Sequence, residues 1–240
     1  MPKQGEINYL KNIGLNGIHH AANKPFSDPE CGKYLIQLGS ILSLLPPPPG
    51  RLLDLGAGTG WTSCFFARRG YEVVGQDICA DMIYHARINK EQYGIGDNLS
   101  FVVGDYEDLD YQDEFDCAVF FDALHHAVSE EDALRTVFRA LRPGGICVTS
   151  EPGVGHGRKS RAVSDRFGVT EKDMPATRII DLGKQIGFRS FRVYPHVSRL
   201  GDTIYRKPGF DVVMSLKRWA WSLLPFYFAK RHGGIVMLIK

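Results

Sequence analysis

The chain has 240 residues, of which 44% are apolar and 23% are charged, so the composition excludes a disordered protein and favours one globular domain with a sizeable core. Its 29 basic and 27 acidic residues give a net charge of +2, and the basic ones are dispersed, which argues against a nucleic-acid partner. The five cysteines lie far apart without metal-finger spacing and are typical of reduced core residues. With no long apolar run in the first 25 residues, we predict a cytoplasmic protein.

The first region, residues 1–50, is predicted to be a helical cap segment. Apolar residues recur at helical spacing after Pro29, including Leu38, Ile41 and Leu45, and four consecutive prolines end this pattern. The rest of the chain, residues 51–240, is predicted to form the main domain.

The main domain alternates short apolar runs with helical stretches. The predicted strands are RLLDL, YEVVGQD, LSFVVGD, DCAVFF and ICVTSE, and a helix from Glu130 to Leu141, capped by Ser129, precedes the fifth. Strands that alternate with helices predict a parallel, doubly wound sheet. A helix from about Pro175 to Ile186, a strand FRSFRVY and a last strand GIVMLI follow.

The stretch GAGTG, between the first strand and the next helix, places three glycines at alternate positions. Ligands of a doubly wound sheet bind beyond the carboxyl ends of its strands, and glycine lets the backbone approach them closely. The second strand ends in Asp77, which can accept hydrogen bonds from ribose hydroxyls. The third ends in Gly104 and Asp105, whose carboxylate can accept from an adenine amino group. The pattern indicates a nucleotide-like cofactor, and a tight turn without a ligand is the alternative.

These motifs resemble those of the class I S-adenosylmethionine-dependent methyltransferases. DLGAGTG is similar to their first motif, VVGQDI and VVGDYEDL to the segments with the strand-end acids, FDCAVFFDALHH to the fourth strand, and LRPGG to the turn before the fifth. The resemblance covers about residues 50–196 and the last strand. It implies S-adenosylmethionine as cofactor and a Rossmann-like α/β fold. That fold has a seven-stranded sheet of order 3-2-1-4-5-7-6, with strand 7 antiparallel and helices on both faces.

The resemblance also implies roles for the cofactor-site residues. Asp54 would support the loop and, through water, the cofactor's amino group, while Asp77 would hold the ribose and Asp105 the adenine amine. Phe121 would offer its carbonyl to the methionine ammonium. The other implied cofactor contacts are Gly56, Ala57, Gly58, Gly60, Ile78, Met82, Gly104 and Tyr106.

Two other classes share parts of this pattern. A nicotinamide dinucleotide enzyme has a G-x-G-x-x-G loop. A frame begun at Gly56 puts Trp61 where a small residue belongs, and one begun at Gly58 ends at Ser63. Asp105 and the LRPGG turn favour the methyltransferase. The second alternative is a cofactor-binding partner protein without turnover, which a turnover assay would distinguish.

The residues after the fourth strand face the transferred methyl in this family, and here they read DALHH. Methyl transfer depends mainly on alignment, but a hydroxyl acceptor must also lose a proton, which suits a histidine. We predict His126, then His125, as general base, with Glu151 as a further candidate and Asp122 as a helix cap. No ligand spacing demands a metal, so none is predicted.

The acceptor pocket is expected to form from residues 1–50 and from inserts after the fifth and sixth strands. EPGVGHG and FGVTEKDM are loosely similar to small methyltransferases of bacterial polysaccharide assembly, so we predict O-methylation of a small molecule or glycan. A quinone or other small-metabolite C- or N-methyltransferase is the alternative. The insert 197–232 is aromatic and basic, and residues 211–231 predict a lid, a dimer contact or a peripheral membrane contact.

Overall fold

The computed structural model describes residues 3–196 and 233–240, and within these ranges the centre of the fold is one seven-stranded sheet. The strand runs are apolar and buried, as is expected for a sheet covered on both faces. The strands in chain order are β1 (Arg51–Leu55), β2 (Glu72–Asp77), β3 (Leu99–Val103), β4 (Phe115–Phe121), β5 (Leu141–Pro152), β6 (Ser190–Pro195) and β7 (Gly233–Ile239).

Helices in the described ranges precede the sheet and connect its strands. Four lie in the first 50 residues, and the others follow β1, β2, β4 and β5. Their bounds are α1 (Gln4–Ile7), α2 (Tyr9–Asn12), α3 (Gly14–Ala22), α4 (Cys31–Leu44), α5 (Trp61–Arg69), α6 (Ala80–Gln92), α7 (Glu130–Ala140), α8 (His156–Lys159), α9 (Arg161–Phe167) and α10 (Ala176–Ile186). A 3₁₀ turn, Leu124–His126, follows β4. Whether residues 1–50 form a separate cap unit stays a prediction.

The strand order is β3-β2-β1-β4-β5-β7-β6, as predicted. β1 pairs in parallel with β2 and β4, whereas β7 is antiparallel to β5 and β6. The order reverses on either side of β1, so the loops after β1 and β4 open into the same crevice.

The core lies on both faces of the sheet. On one face, Leu134 of α7 and Ile179 of α10 pack against the strands. On the other face, Ile41 of α4, Phe66 of α5 and Ile83 of α6 do so. Two apolar layers therefore hold the strand ends in fixed register, and the predicted placement of helices on both faces is confirmed.

The predicted LRPGG turn and the predicted insert have different outcomes in the fold. The LRPGG turn lies inside β5 as an irregularity, since Leu141 pairs with Phe115 and the regular pairing resumes at Ile146 with Cys117. The predicted membrane, lid or dimer segment, residues 211–231, lies outside the described residues. Among the described helices, none has the length and apolar character needed to cross a bilayer.

Candidate active site

The glycine loop after β1 has left-handed backbone at Gly56, Gly58 and Gly60, with φ of 69°, 55° and 76°. A Cβ at Gly56 would lie 2.7 Å from the Ala123 side chain, and one at Gly60 would lie 2.6 Å from Phe101. A Cβ at Gly58 would have nothing within 4 Å. Packing therefore accounts for two of the glycines, whereas Gly58 borders open space where a ligand can approach the backbone.

Asp77, at the end of β2, ties this loop to the neighbouring strand. Its Oδ2 accepts a hydrogen bond from the Gly58 amide and its Oδ1 accepts one from the Cys79 amide, both at 2.8 Å. Burial raises the pKa of Asp77, although these backbone hydrogen bonds oppose the shift. The backbone amides of Gly58, Cys79 and Ile78 use three of the roughly four acceptor sites of the carboxylate, so Asp77 can still accept a hydrogen bond from a ligand.

Asp105, after β3, faces the N-terminal segment. Its carboxylate pairs with the Lys3 ammonium, which also lies 2.9 Å from the Glu107 carboxylate. The backbone of Gly104 donates to the Asp77 carbonyl at 3.0 Å and so joins the ends of β2 and β3. The Tyr106 hydroxyl donates to the Ala123 carbonyl at 3.1 Å, which connects β3 to the turn after β4.

Asp54 lies beneath the loop. Its Oδ2 accepts hydrogen bonds from Thr62 at 2.7 Å and from Ser63 at 2.6 Å, the first residues of α5. Burial raises the pKa of Asp54 to about 6, and the two hydroxyls oppose that shift. Asp54 thus fixes the angle between β1 and α5, and its predicted water-mediated contact with a cofactor stays a prediction.

Phe121, at the end of β4, packs its ring against other aromatic rings. The ring packs 5.3 Å from the Trp61 ring and 6.2 Å from the Tyr34 ring, measured between centroids. The side chain therefore joins the core beside α4 and α5. A role for its backbone carbonyl stays a prediction.

A cavity of about 270 Å³ opens beyond these strand ends. Half of the predicted cofactor residues line it, namely Gly56, Asp77, Ile78, Met82, Asp105 and Tyr106. The other half lie outside its lining, namely Asp54, Ala57, Gly58, Gly60, Gly104 and Phe121. The N-terminal segment contributes four further lining residues, for which the sequence predicted no individual role: Lys3, Glu6, Tyr9 and Lys24. Six carboxylates face the cavity, from Glu6, Asp77, Asp105, Glu107, Asp122 and Glu171, against two lysines. This excess of negative charge suits a cationic ligand.

Glu151 supports the turn after β4 from behind. Its Oε1 accepts from the amides of Ala123 at 3.1 Å and Leu124 at 2.8 Å, and its Oε2 lies 2.7 Å from Nδ1 of His125. Burial raises the pKa of Glu151 to about 7 and lowers that of His125 to about 4. Because Glu151 is fully buried and both of its oxygens are engaged, its proposed role as a base facing the acceptor is wrong, and it is a positioning residue.

Of the two predicted histidines, His126 reaches the cavity wall and His125 lies behind it. Nδ1 of His126 lies 2.7 Å from the Thr170 carbonyl, which can only accept, so this nitrogen carries the proton. The Thr170 amide in turn donates to Glu6 at 2.7 Å. Burial lowers the pKa of His126, and the neighbouring His125 ring lowers it further. His125 is buried and does not line the cavity, so its position does not support the predicted role as general base.

Asp122 is not a helix cap, because the 3₁₀ turn begins after Ala123 and receives no side-chain cap. Its backbone is left-handed, with φ of 48°, and its amide donates to the Ser150 carbonyl at 2.8 Å. Burial and the nearby Glu151 charge raise the pKa of Asp122 to about 7. With this left-handed backbone Asp122 lines the cavity, on the side where the resemblance implied the residues after the fourth strand.

Comparisons with known proteins agree with this arrangement. Residues 53–149 match the family model described as methyltransferase domain. The ubiquinone/menaquinone biosynthesis C-methyltransferase UbiE of Pectobacterium carotovorum is 38% identical over 105 residues, which are 42% of this chain and 42% of that protein. The tRNA 5-carboxymethoxyuridine methyltransferase of Escherichia coli is 32% identical over 111 residues, 45% of this chain and 42% of that protein. The similarity therefore spans less than half the length of these relatives.

A solved structure has the same fold. Phosphoethanolamine N-methyltransferase 2 of Haemonchus contortus, in complex with S-adenosyl-L-methionine, superposes with a TM-score of 0.58 and 21% identity over 85% of this chain and 51% of that one. Residues 53–149 are therefore similar to a methyltransferase domain, and the chain shares its fold with this solved methyltransferase. Because one relative acts on tRNA, the predicted exclusion of nucleic acid is left without support.

Proposed function

We propose that the chain is an S-adenosylmethionine-dependent methyltransferase that acts on a small-molecule acceptor carrying a hydroxyl group. The observation that carries this proposal is the glycine loop, with Gly58 beside open space and its amide fixed by Asp77. The match of residues 53–149 to the methyltransferase-domain model supports the same reaction class.

The residues around the cavity fit the proposed cofactor. S-adenosylmethionine supplies a methyl group already activated by a sulfonium. Its two cationic centres suit a cavity in which six carboxylates outnumber two lysines. Asp77 keeps an acceptor site for a ribose hydroxyl, Asp105 keeps lone pairs for the adenine amine beside Lys3, and Ile78 and Met82 offer apolar contact to the adenine.

The acceptor is proposed to lie against His126 and Glu171, which line the cavity. The neutral His126 ring and the Glu171 carboxylate both accept hydrogen bonds, which favours an acceptor that donates through hydroxyls. His126 is the proposed acceptor contact, and Glu151 and His125 position the backbone on which it stands. A polysaccharide-related acceptor stays a hypothesis that rests on the sequence resemblance alone.

The cofactor side is tested with Asp77→Ala and, as a matched control, Asp97→Ala, in which the carboxylate lost is exposed. We expect Asp77→Ala to weaken S-adenosylhomocysteine binding at least tenfold, since it removes both the loop anchor and the ribose partner. The control should bind like the parent chain. Equal affinities for all three proteins in calorimetry would contradict the assignment.

The acceptor side is tested by turnover with a panel of hydroxyl acceptors. His126→Gln should reduce methyl transfer while the affinity for S-adenosylhomocysteine stays within about twofold, because His126 is proposed to contact the acceptor and not the cofactor. Transfer by the parent chain to any acceptor would exclude a partner protein without turnover. Transfer only to carbon or nitrogen would contradict the proposed acceptor class.

A further inference from the structure

A cluster of histidines and carboxylates lies at the acceptor wall. One nitrogen or oxygen atom from each of His125, His126 and Glu171 lies within 4.8 Å of the corresponding atoms of the other two. His156 Nε2 lies 2.7 Å from Glu171 Oε2 on the outer side. Residues from the turn after β4 and from the segment after α9 therefore converge at one point, although they are more than 40 positions apart in the chain.

Hydrogen bonds orient both rings of the cluster. His126 donates its Nδ1 proton to the Thr170 carbonyl, so its Nε2 carries a lone pair. His125 Nδ1 lies 2.7 Å from the buried Glu151 carboxylate, which leaves the lone pair of the neutral ring on Nε2. A carboxylate or carbonyl behind each imidazole is the arrangement that orients metal-binding histidines and raises their basicity.

One distance in the cluster is not that of a hydrogen bond. Nε2 of His125 and Oε2 of Glu171 are 3.6 Å apart, and in the tautomer set by Glu151 both atoms are acceptors. Ligand atoms that share a tetrahedral Zn²⁺ lie roughly 3.3 Å from one another, since each is about 2.0–2.2 Å from the ion. The pair is thus spaced as two ligands of one ion.

We propose that His125, His126 and Glu171 bind one divalent transition-metal ion, with Glu151 and the Thr170 carbonyl orienting the two imidazoles. Two histidines and one glutamate are a donor set that suits Zn²⁺ and leaves coordination positions for other molecules. His126 and Glu171 also line the cavity, so these positions face the acceptor side. With the ion bound, the ion would hold the acceptor oxygen in place of the direct hydrogen bond to His126. That use of the ion rests on the proposed function, whereas binding of the ion does not.

The test is metal binding by the full chain after treatment with a chelator. Calorimetry with Zn²⁺ should give one site per chain, and Co²⁺ in its place should give the visible absorption of a tetrahedral site. Glu171→Gln and His126→Gln should each weaken binding at least tenfold. His19→Ala, which removes an exposed histidine of α3, should bind like the parent chain.

The outcomes separate this proposal from the proposed function. Failure of the parent chain to bind either ion would overturn the metal site, whether or not a variant folds. Equal weakening by His19→Ala, or none by Glu171→Gln in a variant with an unchanged melting temperature, would also overturn it. S-adenosylhomocysteine binding measured on the chelator-treated chain reports on the proposed function alone.

Discussion

Gly58 and Gly60 occupy the same loop, but they are required for different physical reasons. Both have left-handed backbone, which costs a residue with a Cβ roughly 1–2 kcal/mol. Gly60→Ala also forces its Cβ against Phe101 and against Ala86, at 2.6 and 2.9 Å, which adds about 1–3 kcal/mol. Denaturant unfolding should therefore show a larger loss of stability for Gly60→Ala than for Gly58→Ala. Equal losses would contradict the packing argument.

The same pair of variants also separates stability from ligand binding. Gly58→Ala places a methyl group in the open space beside the loop and should weaken S-adenosylhomocysteine binding beyond its effect on stability. A variant that keeps full affinity would show that no ligand approaches the backbone at Gly58.

Asp54 should make the stability of the chain depend on pH. Its pKa in the folded state, about 6, lies above the ordinary aspartate value, so the folded chain holds the proton more tightly than the unfolded chain. Stability from this group is present below about pH 4 and is lost as pH rises through 6. The loss amounts to about 3 kcal/mol at most, since one pKa unit corresponds to about 1.4 kcal/mol.

Asp54→Asn tests this titration because it removes the charge and keeps an oxygen for Thr62 and Ser63. Relative to the parent chain, the variant should gain stability between pH 4 and pH 7, as measured by urea unfolding. Asp110→Asn, at an exposed position, is the control. A stability difference that is the same at both pH values would contradict the buried titration of Asp54.

Residues predicted for the site line the cavity where the end of one strand alone determines their place in the fold. Asp77 and Asp105 follow apolar strand runs, and both line the cavity. Glu171 was not identified, because its place at the wall depends on contacts between segments far apart in the chain. Glu151 was misassigned, since a strand-end position does not distinguish a carboxylate that faces the crevice from one that holds the next turn.

At the scale of elements, α7 depends on its N-cap. The Ser129 side chain accepts a hydrogen bond from the Asp132 amide at 3.1 Å, as the capping pattern predicted. Ser129→Ala should lower the free energy of unfolding by about 1 kcal/mol, measured by denaturant titration. Ser43→Ala, at an exposed position in the last turn of α4, should change it by less than about 0.5 kcal/mol. A similar effect at both positions would rule out a specific capping role for Ser129.

The N-terminal helix α1 is held by a close backbone contact. A Cβ at Gly5 would lie 1.9 Å from the Gly168 carbonyl oxygen, so Gly5→Ala must displace α1. Since Lys3 and Glu6 line the cavity, the variant should bind S-adenosylhomocysteine several-fold more weakly. Gly32→Ala in α4, where a Cβ meets nothing within 4 Å, should bind normally. Unchanged affinity for Gly5→Ala would show that α1 does not contribute to binding.

The strands and the long helices could be predicted from local patterns, and the resemblance implied a contribution of residues 1–50 to the pocket, whereas the contact that holds α1 could not be predicted. β1 to β5 are apolar runs bounded by turn residues, and α7 and α10 have clear apolar faces. The contact of α1 with residues 168–170 joins chain positions more than 160 apart, and no local pattern encodes it. The order of β6 and β7 came from the family resemblance.

At the scale of the whole molecule, the sheet, its two core layers and the N-terminal segment together form one acidic cavity at the strand ends. Gly56, Asp77 and Asp105 line one part of it, and His126 and Glu171 line another. The proposed methyltransferase depends on a cofactor and an acceptor that meet in this cavity. Cofactor binding is therefore the property on which the other assignments rest.

The most direct measurement is a parallel calorimetric titration of the full chain with S-adenosylmethionine, S-adenosylhomocysteine and NAD. We predict one site per chain for the first two ligands, with affinities in the micromolar range typical of enzyme ligands, and no heat from NAD. Binding of NAD with no binding of the other two would contradict the assigned cofactor and the acceptor wall described beside it.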